Sequence, residues 1–174
     1  MIRSYFDDLR PDYRVRFFQE DQPLGTGGGL SLLRGEVEST FILSNCDILI
    51  RDDLACLFET HQKQRNDITF VCAMMNTSIP YGVIKASESG EIESMEEKPS
   101  ISYLVNTGVY VIEPRVLDLI EPQEAIGFPD IAKRCMDRGG RVGVFPVSEN
   151  SWIDIGEMAK MESALRVLDG TGLA

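Results

Sequence analysis

Positive charge is scarce in this sequence: 17 lysines and arginines stand against 28 aspartates and glutamates, a net charge of −11. Such a chain repels a phosphate backbone at every distance the Debye length permits, which argues against nucleic acid as a partner. A small anionic substrate fits that balance only where local cations, a metal or helix N-termini offset the field of the whole chain. Long apolar runs are missing as well. No segment approaches the ~18 consecutive apolar residues of a membrane helix. Met1 to Leu9 carries two acids and no apolar stretch, unlike a secretory signal or a transit peptide. The sequence therefore reads as soluble and cytoplasmic. Its four cysteines, Cys46, Cys56, Cys72 and Cys135, form no Cys-x-x-Cys pair. That scatter fits reduced, mostly buried thiols better than a disulfide framework or a zinc site. The single histidine, His61, has no acid or nucleophile placed to work with it and is assigned no role.

What is present is an ordinary globular composition, 43% apolar and 26% charged over 174 residues. One domain over residues 1–174 is the simplest organisation, able to bury roughly two-thirds of its unfolded surface without a disulfide. Runs of β-branched and aromatic residues predict strands at Arg14 to Phe18, Thr40 to Ser44 and Ile68 to Ala73. Between them, Leu30 to Leu33 and Asp53 to Arg65 carry apolar residues at helical spacing. Strand and helix in alternation imply a parallel α/β sheet with ligand sites at the C-terminal ends of its strands. From Tyr81 the strands crowd together, Tyr81 to Ala86 and Ile92 to Glu96 around Ser89-Gly90, then Tyr103 to Ile112, a more antiparallel texture. A helix from Pro129 to Arg138, a strand from Arg141 to Pro146 and a last helix after Gly156 complete the reading.

Several constellations could carry chemistry. Asp47 follows the apolar strand that ends Leu43-Ser44, at the mouth of a sheet, where a hard cation finds oxygen ligands. Asp154 is an acid inside the otherwise apolar run Trp152 to Gly156. From spacing alone the alternative stays open that Asp154 caps the following helix and Asp47 satisfies turn amides. The loop Pro23-Leu24-Gly25-Thr26-Gly27-Gly28-Gly29 offers amides and a permissive backbone to a nucleotide, although it matches neither the Walker loop nor G-x-G-x-x-G; a flexible turn explains it equally well. Glu96-Glu97-Lys98-Pro99 sets a lysine beside acids at a strand end, either a phosphate partner or a solvated charge cluster.

Taken in order, six motifs resemble the sugar-nucleotide pyrophosphorylases. They are Glu20-x-x-Pro23-Leu24-Gly25-Thr26-Gly27-Gly28, Leu43-Ser44-Asn45-Cys46-Asp47, Tyr81-Gly82-Val83-Ile84, Glu97-Lys98-Pro99, Val105-Asn106-Thr107-Gly108-Val109-Tyr110 and Trp152-Ile153-Asp154-Ile155-Gly156. That family includes mannose-1-phosphate guanylyltransferases and glucose-1-phosphate thymidylyltransferases. The resemblance implies a Rossmann-like α/β fold with a mixed, mostly parallel sheet. It also implies transfer of a nucleoside monophosphate from a nucleoside triphosphate to a sugar 1-phosphate, with pyrophosphate released. By the same resemblance Mg²⁺ is held between Asp47 and Asp154, Lys98 meets the sugar phosphate and Glu97 a sugar hydroxyl. Gly82, Asn106 and Thr107 line the sugar pocket, and Glu20, Pro23, Gly25 and Thr26 lie at the nucleotide. A carboxylate at Glu20 accepts hydrogen bonds and donates none, which favours guanine and hence GTP.

Two departures accompany the likeness. Cys46 stands where the family has glycine in Asn-Gly-Asp. The opening Gly-Gly-x-Gly-x-Arg-Leu loop that cradles the triphosphate does not occur, so the chain reads as an N-terminally truncated, inactive form whose open sheet edge favours a homo-oligomer. Two competing readings are a non-catalytic nucleotide-sugar-binding module and a glycosyltransferase of related fold. Asn45-Cys46-Asp47 lacks the first acid of the Asp-x-Asp that such glycosyltransferases use.

Overall fold

The structure is a computed structural model that describes residues 1–156. In chain order its elements are α1 (Ile2–Leu9), β1 (Phe41–Ser44), β2 (Ile48–Ile50), α2 (Leu54–Gln64), β3 (Ile68–Ser78) and β4 (Val83–Ala86). Then follow β5 (Ile92–Glu96), β6 (Ser100–Ile112), α3 (Phe128–Asp137), β7 (Val142–Ser148) and β8 (Trp152–Asp154). The helix expected after Gly156 lies outside the described residues. The chain divides into two compact units, Met1–Phe41 with Glu113–Arg141, and Ile42–Ile112 with the residues from Val142 onward. Among the described residues no helix is long and apolar enough to cross a membrane.

The first unit is organised by α3. Phe128, Ile131, Ala132 and Cys135 are buried, at the i, i+3, i+4, i+7 spacing of one helical face. That helix packs on the 3-10 turn Pro114–Leu119, which in turn meets the 3-10 turn Gly28–Leu33. The helix ends as Gly139 enters the left-handed region at φ 81° and the Gly140 amide donates to the Cys135 carbonyl at 2.9 Å. Arg134 forks onto Glu124, with nitrogen–oxygen distances of 2.6 and 2.9 Å. The expected strand Arg14 to Phe18 is not formed: these residues are irregular and join no ladder. Aromatic and β-branched content makes a strand only where a neighbour takes up the backbone hydrogen bonds. Here the side chains are used locally instead, Phe17 packing edge-on to Phe6 at 5.9 Å and Arg16 lying over Phe18 at 5.1 Å.

The second unit is built on a four-stranded mixed sheet in the order β1-β6-β3-β7. β3 runs antiparallel to β6, from Ile68 opposite Ile112 to Ser78 opposite Ser100, and parallel to β7, from Ile68 opposite Val142 to Met74 opposite Ser148. Helix α2 starts where Asp53 accepts the amides of Ala55 and Cys56 at 2.9 and 3.2 Å, an N-cap at the first residue of the helical stretch expected over Asp53 to Arg65. Its buried residues are Leu57 and His61, one turn apart. Leu57 joins Val71, Ala73, Val109, Val111 and Val147 in the core of this unit. His61 enters a buried polar cluster: its Nδ1 lies 2.8 Å from the Thr69 hydroxyl, which also receives the Asn66 amide at 2.9 Å. Strands β4 and β5 form an antiparallel hairpin, Val83 opposite Glu96 and Ile84 opposite Met95, around the Ser89-Gly90 turn.

Candidate active site

Two short strands bring two distant acids together. In the antiparallel pair β2–β8, Ile48 faces Asp154, Leu49 faces Ile153 and Ile50 faces Trp152. The ladder is prolonged at both ends, the Arg51 amide donating to the Ser151 carbonyl and the Ile155 amide to the Asp47 carbonyl, each at 2.8 Å. Asp47 thus arrives beside Ile155, diagonal to Asp154, although more than a hundred residues separate the two acids in sequence. Both carboxylates converge on Gly156. A Cβ built there would stand 2.9 Å from Asp47 Oδ2 and 3.2 Å from Asp154 Oδ1. Asp154 Oδ1 accepts the Gly156 amide at 2.9 Å, so one oxygen is used in a local turn. Among the described residues neither carboxylate has a basic partner in an ion pair. Two adjacent anions without a cation repel each other, and a bound cation is the group that reverses the sign of that interaction.

A second pair of motifs meets beside this ladder. Between Val71 and Cys72 the β3–β6 register slips: Val71 faces Val109 but Cys72 faces Asn106, leaving Thr107 and Gly108 as extra residues on β6. Gly108 takes φ 82°, and a Cβ on it would lie 2.6 Å from the Asn45 amide nitrogen. The backbone N–H of Asn45 donates to the Gly108 carbonyl at 3.0 Å. The bulge therefore seats the turn that carries Asn45, Cys46 and Asp47. Thr107 is buried, and its hydroxyl donates to the Val71 carbonyl at 2.8 Å and accepts the Val109 amide at 3.3 Å. Asn106 is exposed, its side chain donating to the Tyr110 hydroxyl at 2.9 Å and accepting the Gly108 amide at 3.1 Å. Of these two, Asn106 faces outward and Thr107 secures the bulge from within.

The hairpin supplies the remaining residues of the second unit. A Cβ on Gly82 would lie 3.0 Å from Glu97 Oε2, so that carboxylate rests over the glycine. Lys98 is exposed and left-handed, φ 47°, just past the end of β5. Pro99 is buried and its carbonyl accepts the Ile79 amide at 3.0 Å, closing the base of the hairpin.

Glu20, Pro23, Gly25 and Thr26 belong to the first unit. Glu20 Oε2 accepts the Leu24 amide at 3.1 Å, and Leu24 is fully buried. Gly25 has φ 75°, and a Cβ there would meet the Ile126 carbonyl at 2.9 Å. The Gly27 amide donates to that carbonyl at 3.0 Å, and Thr26 accepts the Phe128 amide at 3.1 Å, capping α3 from outside its own sequence. This glycine loop is an ordered turn packed on residues 124–128. Pro23, Gly25 and Thr26 remain exposed on it. The spacing of the motifs gave no hint of the parts played by Asn45 and Gly156. Their only sequence signal is position, each within two residues of an acid already singled out.

The nucleotidyl transferase family matches residues 2–169 of the chain. The chain belongs to that family. Among its relatives, mannose-1-phosphate guanylyltransferase 1 of Arabidopsis thaliana is 31% identical over 172 residues, 92% of this chain and 46% of that protein. Mannose-1-phosphate guanyltransferase of Aspergillus fumigatus is 32% identical over 155 residues, 83% of this chain and 41% of that protein. The chain thus spans less than half the length of either relative. A shorter stretch of 113 residues is 35% identical to the human mannose-1-phosphate guanylyltransferase regulatory subunit alpha. In fold, the chain is similar to HddC from Yersinia pseudotuberculosis, at a TM-score of 0.68 and 22% identity over 96% of this chain and 72% of that one. A putative glucose-1-phosphate thymidylyltransferase from Bacillus anthracis gives a TM-score of 0.60 at 20% identity, covering 89% of this chain and 64% of that one. The fold is the Rossmann-like fold of the nucleotide-diphospho-sugar transferases.

Proposed function

We propose that the chain carries the sugar-phosphate and cation site of a cytoplasmic sugar-1-phosphate nucleotidyltransferase. In that reaction an oxygen of a sugar 1-phosphate attacks the α-phosphorus of a nucleoside triphosphate. The bond to the bridging oxygen breaks, and pyrophosphate leaves with the electron pair. The observation that carries the reading is the convergence of Asp47 and Asp154 on Gly156, in a family member whose two acids have no cationic partner among the described residues. The donor set fits Mg²⁺, which takes carboxylate oxygens and completes its octahedron with phosphate oxygens and water. When bound there, Mg²⁺ neutralises charge on the transferring phosphoryl group.

The chain's own residues then divide the work. Lys98, exposed at its strand end, meets the phosphate of the sugar as a point charge. Glu97 accepts from a sugar hydroxyl, with Gly82 leaving room for its carboxylate, and Asn106 offers the sugar the second amide N–H that its contact to the Tyr110 hydroxyl does not use. Thr107 acts one step back, by fixing the bulge. The loop of Glu20, Pro23, Gly25 and Thr26 serves the base. Guanine is favoured because two relatives are named guanylyltransferase or guanyltransferase and because Glu20 keeps acceptor capacity at Oε1 for paired N–H donors. A homo-oligomer is part of the same reading. The triphosphate is assigned to no residue of this chain, because the Gly-Gly-x-Gly-x-Arg-Leu sequence does not occur in it. Pyrophosphate release from GTP and a hexose 1-phosphate tests this. The chain alone should give no useful turnover, and a version carrying that loop upstream should be active. Comparable turnover by both would show the loop to be dispensable. Preference for UTP or dTTP by the extended version would overturn the guanine assignment.

A second reading, a non-catalytic sugar-nucleotide-binding subunit, is favoured by the 35% identity to a regulatory subunit. It predicts binding of a sugar nucleotide with no turnover even when the upstream loop is supplied.

A further inference from the structure

Gly156 lies between the two acids of the proposed cation site, and its backbone does not require glycine: it is not among the glycines of positive φ. What would exclude a side chain there is space. The atoms a Cβ would meet are Asp47 Oδ2 at 2.9 Å and Asp154 Oδ1 at 3.2 Å, both at the free ends of side chains rather than in the backbone. Its amide meanwhile donates to Asp154 Oδ1 at 2.9 Å, fixing one oxygen of that carboxylate beside the glycine. Gly156 is exposed, so a methyl group there would bury little and strain nothing in the core. The same relation recurs where Gly82 lies under the Glu97 carboxylate at 3.0 Å.

We propose that Gly156 is a positioning residue for the divalent cation: by lacking a side chain it allows the Asp47 and Asp154 carboxylates to converge, and by its amide it orients Asp154. This rests on the reading that the two acids hold a cation. An alanine at 156 displaces the Asp47 carboxylate, the cheaper of the available adjustments, and separates the two ligands without unfolding the chain. A role confined to backbone structure would lower the melting temperature and leave cation affinity unchanged in the folded fraction; the positioning role does the reverse.

The test uses the full chain and Mn²⁺ alone, with free ion followed by its paramagnetic resonance signal and melting followed in parallel. Gly156→Ala should bind Mn²⁺ about tenfold or more weakly than wild type, about 1.4 kcal/mol, as should Asp47→Asn, while Gly156→Ala melts within about 4 °C of wild type. If Asp47→Asn weakens binding and Gly156→Ala does not, the proposal is wrong and the cation site stands. If neither the wild type nor Asp47→Asn shows binding attributable to the site, the cation reading fails and takes the proposal with it. A Gly156→Ala chain that does not fold also refutes it, since the glycine would then be required by the backbone rather than by the two carboxylates.

Discussion

Lys98 occupies a conformation that residues with a Cβ seldom adopt, φ 47°, and left-handed backbone costs on the order of 1–2 kcal/mol. That cost is tolerated at a position whose side chain is exposed and has one role in the proposed site, a charge-assisted contact to phosphate. Lys98→Met removes the charge and keeps the stem. It should weaken binding of a hexose 1-phosphate in an otherwise complete enzyme by about 10- to 150-fold, from a contact of about 1.5–3 kcal/mol. Unchanged affinity would take Lys98 out of the site. Glu124 gives a pH dependence of a different kind. The Arg134 guanidinium, helped by the Glu121 amide, holds its carboxyl down to about 2, against an ordinary value of 4.5. The folded-state value is the lower one, so the pair contributes its full stability above pH 4.5 and loses it as the pH falls towards 2. In urea unfolding, Glu124→Gln should be less stable than wild type near neutral pH, and the gap should close towards pH 2. Thiol labelling reads burial directly. Cys46 and Cys56 are exposed, Cys135 is buried, and burial pushes the Cys72 thiol upward. Cys46 and Cys56 should react quickly with a disulfide reagent, and Cys72 and Cys135 only on unfolding.

At the scale of elements, the sequence was most legible where one segment contains its own reason for being ordered. The strand Ile92 to Glu96, the helix behind Asp53 and the helix ending at Gly139 all stand within a residue or two of the positions their patterns indicate. The failures share a cause. Strands β2 and β8 are three residues each, and neither signals a strand alone; each exists because the other, a hundred positions away, supplies its hydrogen bonds. Arg14 to Phe18 failed in the opposite sense, with good strand residues and no partner ladder. Asp47 and Asp154 could be singled out from the runs that hold them, whereas the glycine between them and the bulge that seats Asn45 are properties of pairing. Packing of α2 gives a stability test at this scale. Leu57 is 2% exposed and meets the valines of β3, β6 and β7, so Leu57→Ala should cost about 2–5 kcal/mol in chemical denaturation. The exposed neighbour Glu59→Ala should stay within about 0.5 kcal/mol of wild type.

Across the whole molecule, the acidic excess sets the terms on which an anionic substrate can be held. A net charge of −11 disfavours a sugar phosphate or a nucleotide except where local cations, a metal or helix N-termini offset it. The proposed site answers that with Lys98 and a divalent ion, both in the unit that also holds Gly82, Glu97, Asn106 and Thr107. The ion is therefore central to how the proposed site holds its substrate. The most direct measurement is the anomalous scattering of Mn²⁺ in crystals of the chain grown with a sugar nucleotide. One peak is expected between Asp47 and Asp154, with an oxygen of each carboxylate about 2.1 Å away. A sugar nucleotide bound with Mn²⁺ held elsewhere, or by one of the two acids alone, would contradict that expectation.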